Sequence, residues 1–353
     1  MNLECVEKIA EAVLYEGYML YPYRASAVKN QQRWNFGVLS PRSYSERQSG
    51  SDRWMMQTEC LLEANECTRL DIEIRFLHLV NRSIAKLTRS LSELPLDAEP
   101  QFELVDKLIV GDRTFASWQE AKERKLKIPA WYPAIGSMHR DSFFEFPATR
   151  ELEPIRSLDA MIEGVIVREC GALSGSVEID LKVCRDGLIK ATVRVRNLSS
   201  DESQQPEDRA HALMHSLVSA HIILGAENGE FVSLLDPPPK FSDLAAECTN
   251  LGTWPVLVGD AGARDAMLSS PIILYDYPQI APESPGSLFD GTEIDEILSL
   301  RILTMTDEEK REMRQSDERA REILERTENM PPEQFMKLHG VLRGMHPLLE
   351  EAP

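Results

Sequence analysis

Apolar and polar residues alternate with a period of two in several stretches of the central part of the chain. From residue 70 to residue 76, every second side chain is apolar and each side chain between is charged. This pattern is typical of a β-strand with one buried face. Comparable strand patterns and apolar runs occur at residues 102–110, 221–224, 231–235, 254–258 and 272–275. We therefore expect the centre of the chain to be rich in antiparallel strands.

The clearest local structure is a hairpin within residues 175–197. A two-residue loop at Asp186 and Gly187 would place apolar side chains opposite polar ones. A three-residue loop at 185–187 instead pairs apolar side chains with one another, and Gly187 then takes the left-handed conformation that glycine adopts most readily. The other face sets Glu178 against Arg194, a favourable cross-strand pair. The predicted apolar pairs are Val183 with Ile189, Leu181 with Ala191, Ile179 with Val193, and Val177 with Val195.

Helical periodicity occurs on both sides of the hairpin. An amphipathic helix is predicted at residues 3–15, and further helices at 52–66 and 207–218. Ser117 with Glu120 has the spacing of a capping box, which predicts a short helix at 117–125.

The chain beyond Asp290 is acidic and helical in pattern. Thr306 with Glu309 forms a second capping-box pattern, which predicts one helix at 307–326, and Pro331 with Pro332 opens another. Together these patterns predict an α+β fold with an antiparallel β-rich centre that is sandwich-like or barrel-like. The predicted divisions are an N-terminal helical and basic-aromatic segment at 1–68, a β-rich core at 69–289 that can divide near 155, and an acidic helical region at 290–353.

Composition narrows the classes of partner. Of 353 residues, 42% are hydrophobic and 27% are charged, as in an ordinary globular protein. The formal net charge of −19 disfavours anionic partners with extended charged surfaces, so we expect binding neither to nucleic acid nor to a membrane. The first residues lack the basic and apolar regions of a secretory signal. We therefore expect a cytoplasmic protein.

Candidate chemistry is sparse. The six cysteines lack the spacing of a zinc or redox pair, and we expect them to be reduced and structural. His211 and His215 are four residues apart, so a helix would place them on one face, as two ligands of a metal require. A third ligand could come from His221 or from an acidic loop, but we favour the interpretation that these histidines are structural. No catalytic residue and no cofactor is predicted.

The segment at 17–45 combines aromatic and basic side chains, and none of its 29 residues carries a carboxylate. In so acidic a chain, such a segment either packs against the protein's own carboxylates or contacts a partner. Arginine and large aromatic side chains are enriched at interface hot spots. We therefore hypothesise a partner surface, together with the proline-rich stretch at 275–286. The candidate binding residues are Tyr21, Tyr23, Arg24, Lys29, Arg33, Trp34 and Arg42.

Five long phrases of the sequence are distinctive: YEGYMLYPYRASAVKNQQRWNFGVLSP, GEFVSLLDPP, GTWPVLVG, LSSPIILYDYPQIAPESPG and LFDGTEIDEILSLRILTMTDEEKREMR. With these phrases the chain resembles an uncharacterised bacterial family of accessory proteins encoded near NiFe hydrogenase and maturation genes. The resemblance implies an accessory role, such as holding an immature subunit or scaffolding an assembly complex. It also implies a hydrogenase subunit or a maturation factor as the partner.

Three functions follow from these observations. The leading hypothesis is a non-enzymatic accessory or binding protein that acts through protein–protein contacts, with a role in assembly or maturation of a NiFe hydrogenase. The first alternative is a metal-dependent enzyme or metallochaperone that uses His211 and His215. The second alternative is a binder of a small ligand or carbohydrate on a β-sandwich.

Overall fold

Strands dominate the part of the chain that the computed structural model describes, namely residues 3–14, 36–48, 52–95, 98–131, 138–185, 187–200, 209–279, 302–316 and 318–331. By the contacts between residues, the chain divides into two compact units. One comprises Met1–Tyr18 and Gln32–Gln279, and the other comprises Met19–Gln31 and Ile280–Pro353.

The first unit contains every described strand. In chain order these are β1 (Met55–Glu63), β2 (Arg69–Leu91), β3 (Phe102–Val105), β4 (Lys107–Val110), β5 (Arg113–Ala116), β6 (Trp118–Trp131), β7 (Met138–Phe146), β8 (Thr149–Arg156), β9 (Ile162–Cys170), β10 (Leu173–Arg185), β11 (Leu188–Asn197), β12 (Val218–Glu227), β13 (Glu230–Val232), β14 (Trp254–Leu257) and β15 (Ala266–Ser270). The described helices are α1 (Leu3–Leu14), α2 (Arg42–Arg47), α3 (Arg209–Met214), α4 (Ser242–Ala246), α5 (Asp307–Ser316) and α6 (Glu318–Glu328).

Two sheets and one separate hairpin organise these strands. The five-stranded sheet has the order β13-β1-β11-β10-β7. The eight-stranded sheet has the order β14-β15-β12-β2-β9-β8, and β3 and β6 also pair with β2. Every pair of named strands is antiparallel, and none of the described sheets closes into a barrel. The predicted antiparallel β-rich centre is therefore confirmed, in its sandwich-like form.

The main core lies between the two sheets. Alternate residues of β2 from Leu70 to Phe76 are almost completely buried there, as their period of two predicts. They pack against the inward residues of β10 and β11, and Phe144 and Phe146 of β7 close the cluster around the Phe76 ring. The apolar side chains shared by both sheets are thus the contact that holds the sandwich together.

The second half of β2 extends beyond this core. Its residues from Ile84 onward pair with β9 on one side and β3 on the other. On one face, Ile84 and Ile166 pack against Leu108 and Phe115 of the hairpin β4–β5. On the opposite face, Ala85 and neighbouring residues form a further apolar cluster. The 23 residues of β2 therefore link two regions of packing.

The register predicted for the apolar pairs of the hairpin is confirmed. The three-residue loop predicted at 185–187 is wrong, because Arg185 belongs to β10 and pairs with Leu188 after a register shift between Val183 and Arg185. Strands β10 and β11 pair Val183 with Ile189 and Val177 with Val195, together with the other predicted apolar pairs. Gly187 has a φ of +72°, in the left-handed region that favours glycine. Glu178 lies opposite Arg194 and accepts a hydrogen bond from its guanidinium.

Two predicted helices are wrong, because contacts distant in sequence override the local pattern. Residues 52–66 contain strand β1, whose seven central residues are all buried, so the strand shows no alternation. Residues 118–125 belong to β6, which pairs with β2, and Ser117 precedes this strand. Ser117 accepts a hydrogen bond from the backbone N–H of Ile84, and Glu120 binds Arg168 at 2.8 Å. Neither residue acts as a helix cap.

Other boundaries also differ from the prediction. The strand predicted at 102–110 is interrupted at Asp106 and forms β3 and β4, because β3 pairs with β2 whereas β4 pairs with β5. The last strand among the described residues is β15, whose residues 266–269 pair with β12, and the apolar run at 272–275 forms no strand. The helix predicted at 207–218 is shorter among the described residues, since α3 ends at Met214 and β12 begins at Val218.

The single helix predicted at 307–326 is described as two helices, α5 and α6. The helix predicted to follow Pro331 and Pro332 lies outside the described residues. The capping box is confirmed, because Thr306 N–H donates to Glu309 Oε2 at 2.8 Å and Glu309 N–H donates to Thr306 Oγ1 at 3.2 Å. Glu328 forms ion pairs with Lys310 at 3.3 Å and with Arg314 at 2.5 Å. In a continuous helix, 18 residues would span about 27 Å, so α5 and α6 fold back on each other.

Helix α1 covers the outer face of the eight-stranded sheet. Its apolar side packs on β12, β14 and β15 through Val6, Ile9, Ala10 and Val13. Arg75 lies beneath it, only 4% exposed, and pairs with Glu73 at 2.5 Å and with Glu7 of α1 at 3.5 Å. Within the described residues, no helix combines the length and the apolar character that crossing a bilayer requires.

Two buried histidines predict how stability depends on pH. His221 and His78 are inaccessible to solvent, and burial lowers the pKa of each imidazole to about 4. Arg75 adds to this effect at His221, and Arg124 adds to it at His78. The unfolded chain takes up these protons near pH 6.5, whereas the native protein does not. The free energy of unfolding should therefore fall as the pH decreases below about 6.5, and this contribution should level off near pH 4.

The expected loss is about 1.5 kcal/mol for each histidine between pH 6.5 and pH 5. Urea unfolding of the wild type and of His221→Gln, measured across that range, checks it. The slope with pH should be shallower for the variant. Equal slopes for His221→Gln and the wild type would contradict the prediction.

Candidate functional site

The predicted partner surface lies mostly outside the described residues. This holds for Tyr21, Tyr23, Arg24, Lys29, Arg33 and Trp34. Arg42, the remaining candidate, begins helix α2, where its Nε donates to Glu46 at 2.7 Å and its guanidinium lies 4.8 Å from the Trp54 ring centroid. Both charged side chains of this pair are more than half exposed. Arg42 therefore belongs to an exposed surface that includes Trp54.

Two adjoining cavities lie beside Trp54. They have volumes of about 210 Å³ and about 330 Å³ and share Asp52 and Arg53 as lining residues. Trp254, Arg209 and two glycines line the smaller cavity, while Trp54, Met55 and Leu251 line the larger one. We call this pair of cavities, with Arg53, Trp54, Leu251 and Trp254 at its rim, the tryptophan–arginine cleft.

Backbone pairing holds the walls of the tryptophan–arginine cleft. Leu39 exchanges two hydrogen bonds with Leu217, and the N–H of Ser40 donates to the carbonyl of Arg53 at 2.7 Å. Gln57 exchanges two backbone hydrogen bonds with Leu251. The three chain segments that form the cleft are thus fixed to the edge of the sandwich by regular pairing. The cleft is therefore already formed in the chain without a partner.

Two glycines shape the smaller cavity. Gly37 and Gly252 have φ angles of +53° and +69°, in the region that side chains with a β-carbon rarely adopt. A β-carbon at Gly252 would lie 2.8 Å from Cδ of Arg53, and one at Gly37 would lie 2.6 Å from Cγ of Pro271. Gly252 therefore leaves the space in which the Arg53 side chain lies.

The tryptophan–arginine cleft combines a cation that is unpaired within the described residues with exposed apolar side chains. Most described arginines form ion pairs, such as Arg150 with Glu99 and Arg168 with Glu120. Within the described residues, the exposed Arg53 side chain has neither an ion pair nor a hydrogen bond. Beside it, Trp254 and Leu251 are 41% and 38% exposed. The cleft thus presents an uncompensated cation next to apolar surface.

The predicted metal pair lies on α3 and the residues that follow it. The rings of His211 and His215 are 5.1 Å apart between centroids, and Nδ1 of His215 lies 2.8 Å from the carbonyl oxygen of Ala172. No further His, Cys, Asp or Glu among the described residues completes a compact ligand set with them. The structure therefore brings the two histidines together without a third ligand from the described part of the chain.

A different group does bring three potential metal ligands together. Ligand atoms of His139, Glu178 and Asp180 lie within 4.8 Å of one another on β7 and β10. His139 Nδ1 is 2.6 Å from Asp180, whose hydrogen bond raises the pKa of the imidazole. Arg194 already binds both carboxylates. This group is accordingly an ion-pair network on the outer face of the five-stranded sheet.

The most enzyme-like contact is a buried thiol beside an imidazole. Sγ of Cys170 lies 3.3 Å from Nε2 of His78 and donates to the carbonyl of Leu79 at 3.3 Å. Burial raises the pKa of the Cys170 thiol, and burial lowers the pKa of His78 to about 4. Both groups are therefore neutral near pH 7, which removes the thiolate that nucleophilic catalysis needs.

A second, larger cleft lies where several turns meet. It has a volume of about 990 Å³ and is lined by residues from 63–65, 187–188, 226–230, 240–241 and 264–265. Lys240 pairs with Glu63 at 2.9 Å, and Arg264 pairs with Glu230. Its cations are thus compensated by its own carboxylates, and Phe241 is buried. We call it the turn-lined cleft.

The sequence patterns did not indicate Arg53, Leu251 or Trp254 as site residues. Arg53 and Trp254 are about 200 positions apart in the chain, and their segments are brought together by contacts distant in sequence, such as the pairing of residue 57 with residue 251. The available signal was the positive, ring-rich composition of 17–45, which points to this side of the molecule through Arg42. No protein-family model matches the chain, and no curated protein matches it.

Cysteine exposure provides a direct check on the predicted structural thiols. Cys67 is exposed, whereas Cys60 and Cys170 are buried, and burial raises the pKa of both buried thiols. Because the thiolate is the reacting species, iodoacetamide at pH 8 should alkylate Cys67 first. Cys60 and Cys170 should react only after the protein is unfolded. Peptide mass spectrometry over a time course measures this order, and early alkylation of Cys170 would contradict the neutral thiol–imidazole pair.

Proposed function

We propose that this chain is a non-enzymatic binding protein that acts through protein–protein contacts at the tryptophan–arginine cleft. The observation that carries the proposal is the uncompensated Arg53 guanidinium beside the exposed Trp254 and Leu251. Arginine and tryptophan are enriched among the residues that supply most of the binding energy at protein interfaces. Tryptophan offers a large contact area, and the arginine guanidinium offers paired hydrogen-bond donors. A rigid, preformed cleft lowers the entropic cost of binding further.

The chemistry of the other candidate groups supports binding over catalysis. The Cys170 thiol and the His78 imidazole are both held neutral, and Arg194 neutralises the carboxylates beside His139. These candidate catalytic groups therefore each have a partner in the fold that accounts for them. Arg53 has no such partner among the described residues, and it lies beside exposed apolar side chains.

The class of partner is proposed from the resemblance. A family of accessory proteins encoded near NiFe hydrogenase genes makes a hydrogenase subunit or a maturation factor the first partner to test. An accessory protein of this kind would use the tryptophan–arginine cleft to hold a segment of its client during assembly.

A second candidate function is the binding of a small polar ligand in the turn-lined cleft. Its volume of about 990 Å³ is at the upper end of typical small-molecule sites. Backbone hydrogen bonds from Ala226 to Asp265 and from Phe231 to Arg264 hold its wall. A saturable thermal shift in a screen of sugars and small polar metabolites, lost in Arg264→Ala, would favour this candidate.

Removal of the indole tests the main proposal. Trp254→Ala should lower the amount of partner that co-purifies with the tagged full chain from its native host by about tenfold, because hot-spot truncations commonly cost more than 1 kcal/mol. Quantitative mass spectrometry of the captured proteins measures the change. The melting temperature should stay within a few degrees of the wild type, since the side chain is 41% exposed.

Phe143→Ala provides a matched control. Phe143 is 77% exposed on the edge strand β7 and does not line the tryptophan–arginine cleft. This variant should capture the same partner in the same amount as the wild type. Equal capture by Trp254→Ala and the wild type would refute the proposed function.

A further inference from the structure

The tryptophan–arginine cleft also contains chemistry that specifies what it binds. We propose that it takes an extended acidic-apolar segment of a protein, in which a carboxylate pairs with Arg53 and an adjacent apolar side chain packs on Trp254. This inference rests on the proposed function and names the chemical class of the partner at that site.

The exposed charge of Arg53 is available to an anion from outside the described residues. Its side chain is exposed at the point shared by both cavities, and no described carboxylate lies within ion-pair distance of it. Guanidinium groups bind carboxylates through two parallel N–H donors, and these charge-assisted bonds are stronger than neutral ones. A partner carboxylate would therefore gain two donors whose only present competitor is water.

The surface beside Arg53 is apolar, so it favours an apolar residue next to the acidic residue of the partner. Trp254 faces the smaller cavity, and Leu251 and Met55 face the larger one. An exposed indole favours packing with an aromatic or aliphatic side chain. A purely polyanionic segment would leave this surface unused, so the preferred segment combines an acidic residue with an apolar one.

Asp52 favours a peptide segment over a free anion as the occupant of the cleft. Its carboxylate lines both cavities and, like Arg53, forms no ion pair with the described residues. A small inorganic anion in the cleft would meet this negative charge directly. The backbone N–H of an extended peptide can instead donate to Asp52 while the side-chain carboxylate reaches Arg53. This combination of acceptor and donor favours a peptide over a free anion.

Gly252 allows the Arg53 side chain to occupy its position. A β-carbon at this residue would lie 2.8 Å from Arg53 Cδ, so alanine would displace the arginine. Gly111 offers a matched control, because its φ of +63° carries the same backbone restriction and its β-carbon would meet nothing within 4 Å. Comparing alanine at Gly252 with alanine at Gly111 separates displacement of the Arg53 side chain from the backbone strain that alanine causes at any glycine with a positive φ.

The experiment begins with peptides displayed on phage and selected against the full chain. Selected sequences should be enriched in an acidic residue next to an aromatic or aliphatic one. The best peptide is then synthesised with its acidic residue as Glu or as Gln, and binding is measured by fluorescence polarisation. The Glu peptide should bind about tenfold more tightly than the Gln peptide. Arg53→Gln and Gly252→Ala should abolish this difference, whereas Gly111→Ala should preserve it.

Arg53→Lys should retain part of the preference, because it keeps the charge and loses the paired donors. No acidic enrichment, no selected peptide, or a preference for the Glu peptide that survives Arg53→Gln would each overturn the inference. The partner captured from the host distinguishes this failure from failure of the proposed function. Capture lost in Trp254→Ala but unchanged in Arg53→Gln refutes the inference alone, and capture unchanged in both refutes the proposed function as well.

Discussion

The burial of the inner faces of the two sheets against each other is the constraint on which the rest of the structure depends. Strand β2 contributes Leu70, Ile72, Ile74 and Phe76 to that core and continues into the second region of packing around β4 and β5. Apolar burial supplies most of the favourable free energy of folding. Strand β2 contributes buried apolar side chains both to the core between the sheets and to the cluster around β4 and β5. Because the sandwich is rigid, the segments paired along its edge hold fixed positions, and the walls of the tryptophan–arginine cleft are among them.

Within the described residues, Arg53 is an unpaired, exposed cation in a strongly acidic chain. The chain has a formal net charge of −19, and its described arginines elsewhere are largely matched by carboxylates on neighbouring strands, as Arg194 is by Glu178 and Asp180. Long-range attraction therefore cannot bring an acidic partner to the surface, since the net field repels it. Short-range contact with Arg53 and Trp254 must supply the affinity. Specificity for an assembly partner would then come from local geometry, with net charge excluding other anionic surfaces.

Sequence patterns predicted the structure where local periodicity and tertiary burial agree. The register of the β10–β11 hairpin follows from its alternation of apolar and polar residues and from Gly187. The Thr306–Glu309 cap follows from hydrogen bonds between residues only three positions apart. Strand β1 was missed because both of its faces are buried, which removes the period of two. Strand β6 was not predicted because Glu120 pairs with Arg168, which is distant in sequence, and does not cap a helix. The cleft could not be predicted for the same reason, since pairing between distant segments brings Arg53 and Trp254 together.

Hydrogen–deuterium exchange of the full chain with and without its captured partner tests the central claim most directly. Backbone amides in bound segments become protected when an interface excludes water and damps local opening. Partner binding should slow exchange at residues 36–48, 52–57 and 249–256, which include the described walls of the tryptophan–arginine cleft, and leave the outer face of β7 and β10 unchanged. Protection confined to the turn-lined cleft or to the β7–β10 face, with no change at 36–48 and 52–57, would contradict the account.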